Sequence, residues 1–155
     1  EAFHDIALPW IKKGITADLP TLPIARMIQP RTEVLSEIPE KLSFLNALED
    51  YDLEIYIHKK MKTTLENSLE ALTAALPVLE GVQQWTEENI HNSIMDLIAV
   101  LGIKNGQMLW PIRTAVSGWA VTPGGATEIA GVLGKDETLR RIRVGIERLK
   151  AAVGS

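Results

Sequence analysis

Leucine recurs at helical spacing through the middle of the chain. The steps between successive leucines are three and four residues, and the members are Leu65, Leu69, Leu72, Leu76 and Leu79. Such spacing places the side chains on one face of a helix. Aromatic residues make up only 5% of the sequence, and no alternating run bounded by turns indicates a strand. The pattern predicts an all-α protein rather than a β sandwich or barrel.

Other segments repeat this spacing and end at glycine or proline. We predict longer helices over residues 2–13, 19–29, 63–79, 87–101, 104–117 and 137–152, and shorter ones through 35–45, around 53–61 and after 122–125. Pro111 is expected to interrupt the helix that contains it. The acidic stretch Glu49 to Asp52 marks a candidate junction. Short turns without a fixed repeat predict an irregular helical bundle or superhelix.

Composition excludes several classes of protein. The 155 residues contain no cysteine, which removes disulfides, thiolate zinc sites and cysteine nucleophiles. No apolar run approaches the roughly 20 residues that span a bilayer, and the start Glu1 to Asp5 lacks the basic residues of a secretory signal. We therefore expect a soluble, cytoplasmic chain with no membrane partner.

Charge is distributed unevenly along the sequence. Residues 1–103 contain 8 Lys and Arg against 16 Asp and Glu, whereas residues 104–155 contain 8 against 4. The two parts therefore carry formal charges of -8 and +4. This distribution predicts that a polyanionic partner is steered to the C-terminal third.

No catalytic or metal-binding constellation emerges from residue spacing. His4, His58 and His91 lack the spacing of three or four residues that presents two imidazoles on one helix face, so we expect no metal site. Paired carboxylates at 87–88 and 136–137 are explained by favourable positions at helix starts. Gly124 and Gly125 suggest a phosphate loop only weakly, because no strand precedes them. Contact of this turn with an anion or a base edge stays open.

Near the C-terminal end, several motifs occur in one order. Residues 104–118 read KNGQMLWPIRTAVSG, 122–125 read TPGG and 132–141 read VLGKDETLRR. This combination of a lysine-glycine turn, a Pro-x-Arg helix, a Pro-Gly-Gly turn and a Leu-Gly-Lys ending closely resembles the C-terminal end of bacterial glutamate–tRNA ligases. Upstream, ALPW at 7–10 and QPR at 29–31 are similar to the start of the same region. The resemblance thus covers essentially the whole chain.

The resemblance implies an anticodon-binding domain made of two helical subdomains, which we place at residues 1–60 and 61–155. Family members also carry an N-terminal catalytic domain with HIGH-like and KMSKS-like sequences, and neither sequence occurs here. We therefore expect a piece of a longer ligase that does not itself aminoacylate and holds no cofactor, since ATP and Mg belong to the catalytic domain. The implied partners are tRNA(Glu) and that catalytic domain, not DNA, and we expect a monomer.

The resemblance also implies which residues read the anticodon. Arg113 matches a position that contacts anticodon bases, and a guanidinium can donate to base acceptors in a planar fork or stack on a base. Thr122, Pro123 and Gly125 match the turn around the adjacent bases, although Gly125-Ala126 is smaller than the bulky apolar residue of some members. Arg31 matches an arginine-rich segment near the first anticodon base only through its Pro-Arg context.

Trp110 has two interpretations, a base-stacking surface or an apolar wedge before a helical proline. Lys104, Lys135 and Arg140 are expected to contact phosphates, whose position matters and whose base identity does not. Arg140, together with Arg141 and Arg143, is alternatively a solvated cation on the last helix. The rival function for the chain is an all-helical protein–protein interaction domain whose basic end has no RNA-reading role.

Overall fold

The computed structural model describes residues 2–16, 19–32 and 35–154, without the side chain of Arg31. The helices are α1 (Ala2–Gly14), α2 (Thr21–Ile28), α3 (Ile38–Lys41), α4 (Ser43–Asn46), α5 (Leu65–Glu80), α6 (Glu87–Leu101), α7 (Asn105–Ser117), α8 (Ala126–Leu133) and α9 (Lys135–Val153). Short 3-10 turns cover Gln29–Arg31, Leu35–Glu37 and Leu53–Tyr56. Within these residues the only β contact is a bridge between His58 and Thr63. The all-α prediction is confirmed.

Helix α5 lies at the centre of the second half and packs against α9 and α7. Its start is fixed by a reciprocal cap, in which the Asn67 amide donates to Thr64 Oγ1 at 3.1 Å and the Thr64 amide donates to Asn67 Oδ1 at 2.7 Å. Leu72 and Leu79 of the predicted stripe are fully buried, and its other leucines are half-buried. The stripe therefore faces the core, as its spacing predicts.

A continuous apolar core connects the short helices before residue 60 with the long helices after it. It extends from Ala7 and Ile11 in α1 to Leu149 in α9. Gly145 lets α9 approach closely, because a Cβ there would come within 2.7 Å of the Tyr56 hydroxyl. The proposed subdomain boundary at residue 60 stays a prediction.

The helix predicted around residues 53–61 is wrong. A 3-10 turn ends at Tyr56, and the chain then forms a tight turn closed by the bridge between His58 and Thr63. The Thr63 hydroxyl donates to the Tyr56 carbonyl at 2.6 Å, and Lys62 has a φ of 58°. A residue in the left-handed region cannot continue a right-handed helix. The apolar periodicity of this segment was therefore overridden by an exposed turn that the buried Thr63 hydroxyl anchors.

The three histidines lie apart in the fold. His4 contacts the Thr21 hydroxyl at 2.9 Å, while His58 lies against Trp110 and His91 is exposed on α6. Over residues 2–16, 19–32 and 35–154, no group of three or more His, Asp or Glu side chains is arranged to hold a metal. None of the helices described has the length and apolarity needed to cross a bilayer.

Candidate nucleic-acid interface

Helix α7 positions the main predicted base reader. The Lys104 amide donates to Gln107 Oε1 at 3.0 Å at its start, and Gly118 ends it with a φ of 70°. Pro111 lies inside this helix and is buried, but the helix is continuous through it. The predicted interruption is therefore wrong, because packing against α5, α8 and α9 holds the helical backbone despite the missing N–H.

Arg113 is half-buried on the face of α7 that carries Trp110. Its guanidinium carbon lies 4.5 Å from the centre of the Trp110 ring, and Nη2 donates to the Ala120 carbonyl at 2.7 Å. Nε is buried without a hydrogen-bond partner among the described residues. Burial lowers the pKa of Arg113 because it penalises the charged form. This arginine is thus held in one orientation while part of its donor capacity is unused.

Trp110 is itself fixed by the preceding part of the chain. Its indole N–H donates to the Ile55 carbonyl at 2.8 Å, and the His58 ring centre lies 4.2 Å from its own. With Arg113 also on the ring, Trp110 serves as a platform that orients the arginine. This geometry favours the interpretation of Trp110 as an apolar wedge that packs within the protein over its direct stacking on a base.

The turn at 122–125 is rigid and uses much of its own hydrogen-bonding capacity. The Thr122 hydroxyl donates to the Gly124 carbonyl at 2.6 Å, and the Gly125 amide donates to Glu128 Oε1 at 3.0 Å. A Cβ on Gly124 would overlap the side chain of Met27 in α2. Because Glu128 already accepts from the Gly125 amide just before α8, this turn is poorly suited to a phosphate loop.

A shallow cleft of about 390 Å³ lies beside this turn. Its walls are formed by Lys41, Trp119, Val121, Thr122 and Pro123. Trp119 packs on Phe44 with ring centres 4.8 Å apart, and Val121 is 82% exposed. The apolar residue at 121 was not singled out from the sequence, because a lone exposed valine carries no pattern.

The short backbone segment between α7 and Thr122 connects Arg113 to the turn at 122–125. The Ala120 carbonyl that accepts from Arg113 is two residues before Thr122. Ser117 helps to hold this connection, because its hydroxyl contacts the Arg113 carbonyl at 2.6 Å and accepts from the Trp119 amide at 3.1 Å. Arg113, Thr122 and the cleft therefore belong to one surface.

The three predicted phosphate ligands occupy different environments. Lys104 is exposed at the start of α7. Lys135 donates from Nζ to the Val82 carbonyl at 2.7 Å, and Arg140 forms two hydrogen bonds with the Glu137 carboxylate at 2.7 and 2.8 Å. The backbone of Arg31 closes the 3-10 turn after α2, four residues beyond Met27, and its side chain lies outside the described residues.

Three lysines that were not singled out from the sequence lie on a turn that contacts α7, the helix of Arg113. Lys59, Lys60 and Lys62 are exposed on the turn that follows Leu53–Tyr56. They belong to the acidic part of the chain, residues 1–103, whereas a polyanionic partner was predicted to be steered to the C-terminal third. Their close spacing is the signal that would have identified them, because three of four consecutive residues are cationic.

These features occur on a chain whose family is established by comparison with known proteins. A family model described as the anticodon binding domain matches residues 2–146, and the chain therefore belongs to that family. It is 57% identical over 150 residues to a glutamate–tRNA ligase from Clostridium tetani and 53% identical over 154 residues to one from Clostridium kluyveri. These alignments cover 97% and 99% of this chain. The motif-based assignment of the family is confirmed.

The chain spans about a third of those relatives, 31% and 32% of their respective lengths. A crystal structure of a glutamate tRNA ligase from Elizabethkingia meningosepticum in complex with its amino acid shares the fold, with a TM-score of 0.76. That match covers 96% of this chain and 30% of the other at 22% identity. A likeness at this identity concerns the fold alone.

Proposed function

We propose that this chain reads the anticodon of tRNA(Glu) as the anticodon-binding part of a glutamate–tRNA ligase and positions the tRNA for a catalytic domain. The observation that carries the proposal is Arg113. It is oriented by Trp110, has no carboxylate partner among the described residues and keeps a buried Nε unpaired. Nε itself is enclosed, but the half-buried guanidinium that no carboxylate of the described residues neutralises can offer its other N–H groups to base acceptors.

The neighbouring turn supplies shape to the same surface. Thr122 and Pro123 border the cleft of about 390 Å³, and Val121 stands exposed at its edge. Anticodon bases can be splayed out of the loop and packed against such surfaces, whereas bases inside a duplex cannot. We assign the cleft to a base adjacent to the one that Arg113 contacts, and the Gly125 amide to the structure of the turn because Glu128 occupies it.

Binding measurements on the 155-residue chain test this function. tRNA(Glu) and the same tRNA with altered anticodon bases are titrated at two salt concentrations. We expect the chain to prefer the native anticodon at both, because base contacts discriminate and phosphate contacts do not. Equal affinity for the two tRNAs would contradict anticodon reading and favour a helical protein–protein interaction domain.

The remaining expectations belong to the same proposal. We infer a monomer that acts in the cytoplasm, with no DNA partner, and that leaves ATP and Mg to the catalytic domain of the ligase. A DNA stem-loop with the anticodon sequence should compete poorly with the corresponding RNA, since the 2′-hydroxyl distinguishes the two. Light scattering of the chain alone and with tRNA measures the stoichiometry, and a dimer would contradict the expected state.

A further inference from the structure

Two groups of cations in this chain differ in their contacts. Those on or beside α9 are occupied by carboxylates or backbone carbonyls, and the pairs are Lys135 with Val82, Arg140 and Arg141 with Glu137, Arg143 with Glu80, Arg148 with Asp50 and Lys150 with Glu147. In contrast, Lys59, Lys60 and Lys62 are exposed, and no ion pair to them occurs in the described part of the chain. The charges of the second group are therefore not offset by a carboxylate of the described residues and can interact with a partner.

The lysine turn, residues 59–62, is held rigidly from within. The His58 amide donates to Thr63 Oγ1 at 2.9 Å, and the Thr63 amide donates to the His58 carbonyl at 3.1 Å. The Met61 amide donates to His58 Nδ1 at 3.2 Å, and Asn67 donates from Nδ2 to the Lys62 carbonyl at 2.9 Å. A preformed turn loses less conformational entropy on binding than a flexible loop.

Two contacts place the lysine turn against α7. His58 lies on Trp110 with ring centres 4.2 Å apart, and a Cβ on Gly106 would overlap the side chain of Met61. Gly106 and Arg113 are seven residues apart, about 10 Å along a helix. A strand in a stacked duplex advances by roughly 3.4 Å per nucleotide and a splayed loop advances further, so this separation corresponds to no more than about three nucleotides. The lysine turn therefore packs against α7 about two helical turns before Arg113.

We propose that the lysine turn binds RNA phosphates next to the bases that Arg113 contacts. This inference rests on the proposed anticodon-reading function and adds a phosphate-binding element to it. A lysine ammonium is a compact charge that suits phosphates without selecting a base, whereas the planar guanidinium of Arg113 suits base acceptors. The turn thus contributes affinity and register, and Arg113 contributes discrimination.

The salt dependence of tRNA binding tests the proposal directly. Lys59→Ala/Lys60→Ala removes two charges from the turn, and Lys12→Ala/Lys13→Ala removes two from an exposed pair of consecutive lysines at the end of α1. Each phosphate contact contributes about 0.7 to 0.9 to the slope of log K against log salt concentration. We expect the turn variant to flatten the slope by about 1.4 to 1.8 for native and altered anticodons alike, with the α1 variant unchanged. Lys62 is not replaced, because its φ of 58° lies in the left-handed region and a substitution there could change the backbone as well as the charge.

Cross-linking locates the contact on the RNA. Because the chain contains no cysteine, Lys60→Cys creates a single attachment point for a photo-cross-linker, and Lys150→Cys gives a matched control on α9. We expect Lys60→Cys to label the anticodon loop or the adjoining stem and the control to label neither. Labelling confined to other parts of the tRNA would overturn the proposal.

The outcomes separate this inference from the function on which it rests. If the unsubstituted chain fails to distinguish the two anticodons, the proposed function is wrong and the inference falls with it. If discrimination is intact but both double variants show the unsubstituted slope, only the inference is wrong. If Lys59→Ala/Lys60→Ala weakens the binding of polyglutamate of similar length but not the binding of tRNA, the turn binds an acidic polypeptide and the proposal is overturned.

Discussion

Helices α7 and α9 both carry arginines, but they use them in opposite ways. Arg141 of α9 is fully buried and donates to the Phe44 carbonyl at 2.9 Å and the Val116 carbonyl at 2.7 Å. Arg113 of α7 makes one carbonyl contact and lies over an aromatic ring. Arg141 of α9 therefore holds the fold together, while the single arginine of α7 is available to a ligand.

The electrostatic environments sharpen this contrast. Burial lowers the pKa of both arginines, but Glu137 opposes the effect at Arg141 through a hydrogen bond of 2.7 Å. Among the residues that the structure describes, no acidic side chain offsets the burial of Arg113 in the same way. An acceptor supplied by a bound molecule would stabilise the charge of Arg113, whereas the charge of Arg141 is already compensated.

The largest expected effect is the loss of stability when Arg141 is replaced. Arg141→Met should lower the free energy of unfolding by about 3–5 kcal/mol, because it leaves two buried carbonyls without this donor and removes one of the two arginine partners of Glu137. Urea denaturation measures this change. Arg141→Lys, which keeps the charge but loses the fork, should fall between Met and the original residue. A loss below about 1 kcal/mol would contradict the structural role of Arg141.

Replacing Glu137 tests the same network from its acidic side. Hydrogen bonding from Arg140, helped by Arg141 and opposed by burial, lowers the pKa of Glu137 from 4.5 to about 2. Glu137→Gln should cost about 1.5–3 kcal/mol at neutral pH, the typical worth of hydrogen bonds to a charged group. Urea denaturation at pH 7 measures the change, and Asp136→Asn removes an exposed carboxylate beside it as a control.

The sign of the acid dependence follows from the lowered pKa of Glu137. A carboxylate with a depressed pKa in the folded state stabilises the protein above pH 4.5, and this contribution is lost as pH falls toward about 2. Glu137→Gln should therefore show a shallower loss of stability over that interval than the unsubstituted chain. Parallel curves for the two proteins would show that Glu137 does not carry this dependence.

Local pattern predicted the long helices better than it predicted the use of each charge. The spacing of Leu72 and Leu79 and the stop at Gly118 depend on neighbouring residues, so they are visible in the sequence. The burial of Arg141 depends on carbonyls that lie far away in the chain, including that of Phe44, 97 residues distant. Exposure and pairing of cations are tertiary properties, and a count of basic residues does not contain them.

The same distinction between local sequence pattern and tertiary contact applies to the candidate site. The motif identified Arg113 and the turn at 122–125 by their resemblance to a family, and the structure places them on one surface. It did not identify the platform under Arg113, because His58 and Ile55 reach Trp110 from 52 and 55 residues away in sequence. The lysine turn was missed for a related reason, since its segment was predicted to be helical and lies in the acidic part of the chain.

Arg113 tests the ligand-binding side of the comparison. Arg113→Ala should weaken binding of tRNA(Glu) by about 1–3 kcal/mol, as expected for the loss of a base contact or stack. Affinity for the tRNA with an altered anticodon should change much less. Fluorescence titration of both tRNAs measures the difference, with Arg143→Ala as a control of equal charge. An equal loss for both tRNAs would assign Arg113 to a phosphate.

The smallest expected effect concerns the exposed pair of Arg143 and Glu80. Their atoms are 2.8 Å apart, but the side chains are 52% and 45% exposed. A double-mutant cycle with Arg143→Ala and Glu80→Ala, measured by urea denaturation, should give a coupling energy of about 0–1 kcal/mol that decreases with added salt. A coupling comparable to the loss in Arg141→Met would mean that exposed and buried cations of α9 contribute alike. In that case the arginines of α9 would differ from Arg113 because they are paired with carboxylates, whether or not they are buried.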